Sequence, residues 1–391
     1  MTKIDTKNTE FLDELINKTS SPKSIASTYV CIKDSSSRKN PGSIETIFSI
    51  RESDLSSVAQ KSLSILENEE IFNNHWVDFK WKLLSYLNVQ DTFSATFYDG
   101  GDSNIIFRQW YFYYEAKYLV LEALLCGLNG FSASLGLLLR LFLEFSLLQN
   151  YSYRKIENDR NYSTIKEYFD NKFNPNWTTI LKGCLPSGNF CKPIRKRLKL
   201  HLDGLSQTAA HPYHPEHSPK HMGCAYIPEQ SLEGLFFPYK LSMILEPVLW
   251  MYYTNFPMLC HPVNIRKKFA FNYPVGCFID KMGGEIIKRS ISKDDFVHFY
   301  NYSKQTDKYK DLMSFYNSQA DLSEEEIKLT WDSKNNGEFK SFMEGHAMQM
   351  SKLRVINETL ALKQREDLTP EIDTFGENLS FNKWKTYYKK L

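Results

Sequence analysis

Arg140 and Glu144 stand four residues apart in the stretch Leu135-Gly136-Leu137-Leu138-Leu139-Arg140-Leu141-Phe142-Leu143-Glu144-Phe145, which is otherwise apolar on every side. That spacing puts both side chains on one face of a helix. A helix that is apolar all round is buried, so the two charges are expected to leave water together, as such groups do only when paired. Two roles fit the residue types. The pair is either a buried ion pair that fixes helix register, or a site wall in which Arg140 binds a phosphate or carboxylate and Glu144 orients it. Glu122, in the preceding apolar segment, is a candidate third member.

The densest polar cluster runs from His201 to Cys224 and holds five of the nine histidines. Histidine is the usual general acid or base near neutral pH and the commonest metal ligand. His217, His221 and Cys224 have spacing compatible with zinc, but four prolines interrupt residues 211–228 and no ligand geometry is fixed there. The expectation is a polar loop with no resident metal or cofactor, the metal site standing as an alternative. His211 is the candidate for function, because it follows Leu205-Ser206-Gln207-Thr208-Ala209-Ala210, a small-residue stretch able to end a helix deep in the fold.

The segment from Gly127 to Leu148, with Asn-Gly-Phe-x-Ala-Ser followed by Leu-Leu-Arg-x-x-x-Glu, resembles one in uncharacterised helical bacterial proteins. In those, a Leu-Ser-x-x-x-His-Pro segment comes later. Leu205 to Pro212 is similar, with one extra spacer residue. Those proteins resemble the HEPN superfamily of helical domains, and the resemblance covers residues 105–260. It implies a bacterial defence or stress-response protein, acting as a metal-independent ribonuclease on RNA, with Arg140, Glu144 and His211 in the site. HEPN nucleases carry Arg-x₄₋₆-His on a helix. Arg195 to His201 has that spacing and departs from the pattern at Lys196, where a polar Asn, Asp or His is usual; an ordinary basic helix gives the same pattern. By the resemblance, His201 would move the proton of a ribose 2′-hydroxyl and Arg195 would steady the phosphorane charge. Such sites form between protomers, which implies a homodimer. The other class of function is a non-catalytic helical interaction or regulatory subunit of a defence system.

These groups need a scaffold, and composition bounds it. The 391 residues are 42% hydrophobic, 24% charged and 15% aromatic, which suits a large aromatic core. Few segments alternate with period two, so the expected class is mainly α. The expected architecture is an irregular helical bundle with a polar N-terminal arm (1–60), a helical core (61–285) and a charged C-terminal helical layer (286–391). Ile105 to Leu128 and the stretch from Ser132 or Ser134 to about Tyr151 form a predicted hairpin, broken by Leu128-Asn129-Gly130. Leu232 to Leu259 is a third apolar helix with a kink expected at Pro247. Asp294-Asp295 and Asp321 to Glu326 are helix starts.

A net charge of +2 demands neither nucleic acid nor membrane. Glu122, Arg140 and Glu144 interrupt the longest apolar window, so a buried helix pair is expected and not a membrane span. Seven scattered cysteines without C-x-x-C, and an N-terminus without an apolar signal segment, point to the cytoplasm. There is no G-x-x-x-x-G-K-[ST], H-E-x-x-H or G-x-S-x-G, so P-loop, zincin and serine-hydrolase chemistry are not indicated.

Overall fold

A computed structural model describes residues 55–96, 103–159, 161–206, 234–269, 278–279, 281–327 and 329. Residues 1–54 of the expected polar arm, His211 and the rest of the histidine cluster beyond His201 lie outside the described residues, as does the charged sequence after 329; the last residues of the arm already belong to the first helix. Among the described residues the class is mainly α, with no strand. The helices are α1 (Ser57–Asn68), α2 (Glu70–Thr96), α3 (Ser103–Leu128), α4 (Ser132–Asp159), α5 (Ser163–Phe169), α6 (Trp177–Gly183), α7 (Cys191–Leu205), α8 (Phe237–Asn255), α9 (Ile265–Phe269), α10 (Lys281–Ser290), α11 (Lys293–Gln305) and α12 (Asp307–Ser318). The chain divides into two compact units, the smaller taking residues 266–271 and those from 320 on.

In the larger unit, α3 and α4 form the expected hairpin and pack along each other's length. Its turn is a Schellman cap. Gly130 takes φ 79°, Phe131 N–H donates to Cys126 O at 2.9 Å and Gly130 N–H to Gly127 O at 3.1 Å. One turn earlier, Gly127 lies so close to the Phe237 ring that any Cβ would overlap it. Helix α4 runs two turns past the expected Tyr151, because Tyr153 and Ile156 continue its buried face.

The central element is α8, which buries 14 of its 19 residues and packs against α2, α3, α4, α7 and α11. The helix continues through Pro247, and Pro238 sits at its first turn, where a missing N–H costs nothing. Aromatic rings lock the layers together. Tyr86 of α2 stacks on Tyr113 of α3 (5.3 Å between centroids) and meets Phe142 of α4 and Tyr252 of α8 edge-on. Polar ties are buried with them. Asn255 Nδ2 donates to Asn150 Oδ1 at 2.8 Å and to the Cys184 carbonyl at 2.9 Å. Tyr253 OH lies between Ser85 Oγ and Ser290 Oγ.

Helices α11 and α12 are peripheral. Ser292 caps α11 by accepting from Asp295 N–H, with Asp294 and Asp295 in the first turn as expected. Helix α12 has no buried residue. It is fastened by Lys308, whose ammonium pairs with Glu157 and lies over the Tyr153 and Phe256 rings at 4.7 and 5.1 Å. In the smaller unit, Lys267 and Lys268 pair with Asp321. Ser323 and Glu326 form a capping box: Ser323 N–H donates to Glu326 Oε2 at 2.7 Å and Glu326 N–H to Ser323 Oγ at 3.2 Å.

His261 is buried between the Tyr300 and Tyr309 rings, at 4.2 and 4.4 Å. Its Nε2 is hydrogen-bonded to Ser303 Oγ at 2.6 Å, and the same hydroxyl lies 3.0 Å from the Tyr300 carbonyl. Burial, helped by the Lys304 ammonium, lowers its pKa from the ordinary 6.5 to about 4. The folded state thus binds fewer protons than the unfolded one. The stability this neutral ring contributes is complete above pH 6.5 and is lost as pH falls towards 4. Urea titrations should show about 2–3 kcal/mol lost over that window through this residue, and His261→Gln should flatten that portion of the profile. An unchanged profile in the variant would contradict the assignment.

Candidate functional site

Arg140 and Glu144 lie midway along α4, beside the buried face formed by Leu139, Phe142 and Leu143. They pair as their spacing demands, Arg140 Nε to Glu144 Oε1 at 2.6 Å, with side chains 12% and 20% exposed. The apolar surroundings are less complete than the sequence suggests, since Leu137 is 47% exposed. The guanidinium also reaches another helix. Its Nη1 donates to the Leu202 carbonyl of α7 at 2.5 Å. Leu202 lies in the last turn of α7, where carbonyls lack full intrahelical partners and the helix dipole favours a cation. Ser206 N–H takes one lone pair of that carbonyl, and Arg140 takes the other. Arg140 is therefore tied to its own helix and to the last turn of α7. Its guanidinium carbon also lies 5.9 Å from the centre of the Trp177 ring.

Beside this pair opens a pocket of about 630 Å³. Leu141, Glu144, Phe145 and Leu148 of α4 form one wall. Tyr168 and Phe169 of α5, the loop residues Asn171, Phe173 and Pro175, and Trp177 of α6 form the other. The loop has its shape because α5 ends in a second Schellman cap. Asn171 adopts φ 56°, Lys172 N–H donates to Glu167 O at 2.8 Å and Asn171 N–H to Tyr168 O at 3.2 Å. Asn tolerates this left-handed conformation better than other side chains. Asn176 then caps α6 by accepting from Thr179 N–H, which sets Trp177 at the pocket wall.

The other sequence-derived candidates are placed differently. Arg195 donates to the carbonyls of Leu185 and Pro186 (2.9 Å to Leu185) and so closes the loop before α7. His201 lies six residues on, about 9 Å along the axis and about 240° round the helix, so the two share no face. His201 is half-buried among Arg197 of its own helix and Glu246 of α8, and burial first, then Arg197, lowers its pKa. Its Nε2 is buried and, among the described residues, takes no hydrogen bond. Glu246 accepts from Arg197 at 2.6 Å and pairs with Lys82 at 2.9 Å. Glu122 is exposed, outside the Arg140 pair. Lys192, Lys196 and Lys199 line an exposed stripe of α7, at spacings that share one face.

Among the described residues no group of three or more His, Cys, Asp or Glu could hold a metal ion. Within the same residues, no helix is long and apolar enough to cross a membrane. The aromatic pocket and the Leu202 contact were not foreseen. The only sequence signal for the pocket is the aromatic spacing Tyr168-Phe169, Phe173 and Trp177 around an Asn-Pro-Asn turn. No family model, curated protein or solved structure matches the chain.

Proposed function

We propose that this protein acts on RNA as a HEPN-like bacterial defence or stress-response protein, with the α4–α7 junction as its working part. The observation that carries the reading is the bond from Arg140 to the Leu202 carbonyl. It joins the Arg-x-x-x-Glu helix to the last turn of α7, which ends at Leu205, six residues before His211 in the sequence. The Lys192, Lys196 and Lys199 stripe on that same helix suits a phosphate backbone, which is held by charge and released by salt. In this reading His211 transfers the proton of a ribose 2′-hydroxyl. Arg140 and Glu144 hold the junction in place, and Arg195 serves the loop before α7.

The test uses purified full-length protein with single-stranded and transfer RNA, without added metal. Cleavage is expected and should vanish in His211→Ala, while Arg195→Ala keeps activity in whatever fraction stays folded. Full cleavage by His211→Ala rejects the site. A second reading, a non-catalytic helical interaction subunit, is favoured by one observation: Arg140 is already engaged by Glu144 and Leu202. RNA binding without cleavage would select it.

A further inference from the structure

The pocket beside Glu144 has a chemistry of its own. Five of its lining side chains are aromatic, and Glu144 is the one charged group among them. Flat, polarisable walls of this kind suit a planar ring, because bases stack on aromatic side chains. Glu144 narrows the choice. A carboxylate only accepts hydrogen bonds, so the ligand must present donors. Glu144 Oε1 already accepts from Arg140, and no described protein donor bonds Oε2. Because Arg140 neutralises the carboxylate, the pocket does not require a cation, while a phosphate placed inside it would face a carboxylate.

Among the common bases, guanine meets these terms. Its Watson–Crick edge presents N1–H and the N2 amino group side by side, two parallel donors for one carboxylate. Adenine and cytosine set an acceptor nitrogen next to their amino group. Uracil flanks its single N–H with two carbonyls. Each of those edges would bring an acceptor against Glu144, leaving buried acceptors without donors. The ring needs far less than the volume available, which leaves room for a ribose.

We infer that this pocket binds a guanine ring, stacked against Trp177 and its aromatic neighbours and held at its Watson–Crick edge by Glu144. An RNA source for the base rests on the function proposed above; the edge chemistry does not. Guanosine monophosphate carries the same edge as an unpaired guanine in RNA.

Calorimetric titration of the full chain with the four ribonucleoside monophosphates, and with short single-stranded RNAs containing or lacking guanine, tests the inference. Guanosine monophosphate should bind at least tenfold more tightly than the other three. Glu144→Gln should reduce that preference by at least tenfold. Because Glu144 also pairs with Arg140, Trp177→Ala serves as a second variant that keeps the ion pair. It should weaken guanine binding at least tenfold with unchanged circular dichroism. Much tighter binding of guanine-containing RNA than of the mononucleotide identifies RNA as the source; equal affinity identifies the free nucleotide. Equal binding of all four bases, no saturation at millimolar mononucleotide and guanine-containing RNA alike, or unaltered preference in Glu144→Gln overturns the inference. Guanine binding with no affinity for RNA sustains the pocket and sinks the RNA function. RNA cleavage without base preference does the reverse.

Discussion

Replacing Arg140 with Met should lower the stability of the protein by about 3 kcal/mol, the low end of the range for breaking a buried ion pair. The substitution preserves most of the side-chain volume and removes three interactions together. Glu144 loses the donor 2.6 Å from its Oε1, the Leu202 carbonyl loses its second partner, and Trp177 loses the guanidinium over its ring. The exposure of 12% and 20% keeps the penalty below that of a fully buried pair. Arg140→Lys should recover less than half, since an ammonium cannot reach two divergent acceptors with the geometry of a guanidinium. Adding Glu144→Leu to Arg140→Met should return part of the loss by removing the stranded carboxylate. Urea denaturation of the two singles and the double closes the cycle. A loss below about 0.5 kcal/mol in Arg140→Met, the range of an exposed pair, would show that the pair is merely solvated.

The second large effect is expected at Asn255, which is 4% exposed and donates to Asn150 Oδ1 and Cys184 O. Asn255→Leu leaves both acceptors buried without that donor, at about 1–3 kcal/mol each. The total should be about 3 kcal/mol, since the change also removes Asn255 Oδ1, which has no partner among the described residues. Asn255→Asp should be worse. It keeps the shape but turns the donor into an acceptor facing two oxygens, and the carboxyl must be protonated or charged in a dry site. Denaturant midpoints rank the variants. Hydrogen exchange adds a local readout, because the bond to Cys184 fastens the connection between α6 and α7, whose amides should exchange faster. Equal stability of Asn255→Leu and wild type would contradict the role.

Where local rules govern, the sequence was readable. The α3–α4 hairpin follows from two apolar runs separated by Asn-Gly, and Gly130 takes the left-handed position that only such residues accept easily. Asp294-Asp295 and Asp321 to Glu326 announce helix starts, and in the fold Ser292 and Ser323 accept the capping bonds there. The Arg140–Glu144 pair was legible from its spacing alone. What escaped depends on contacts between distant segments. Nothing near Arg140 in sequence names Leu202, 62 residues away. Arg195 enters the candidate set only through the Arg-x₄₋₆-His spacing of the HEPN resemblance, and in the fold it donates to the carbonyls of Leu185 and Pro186. Pro247 removes one N–H from the middle of α8, and the helix continues on both sides of it among buried neighbours. The pocket is assembled from α4, α5, α6 and the turn between the last two, so no single stretch displays it.

The seat of α12 has a consequence for His261. The helix contributes no residue to the core, and it is retained by Lys308 and by rings such as Tyr309, which covers the His261 imidazole. Detachment of α12 would hydrate that ring and let it take a proton, and a proton on the ring must in turn favour detachment. The two events are reciprocally linked, so acid and ionic strength act on the same edge of the molecule.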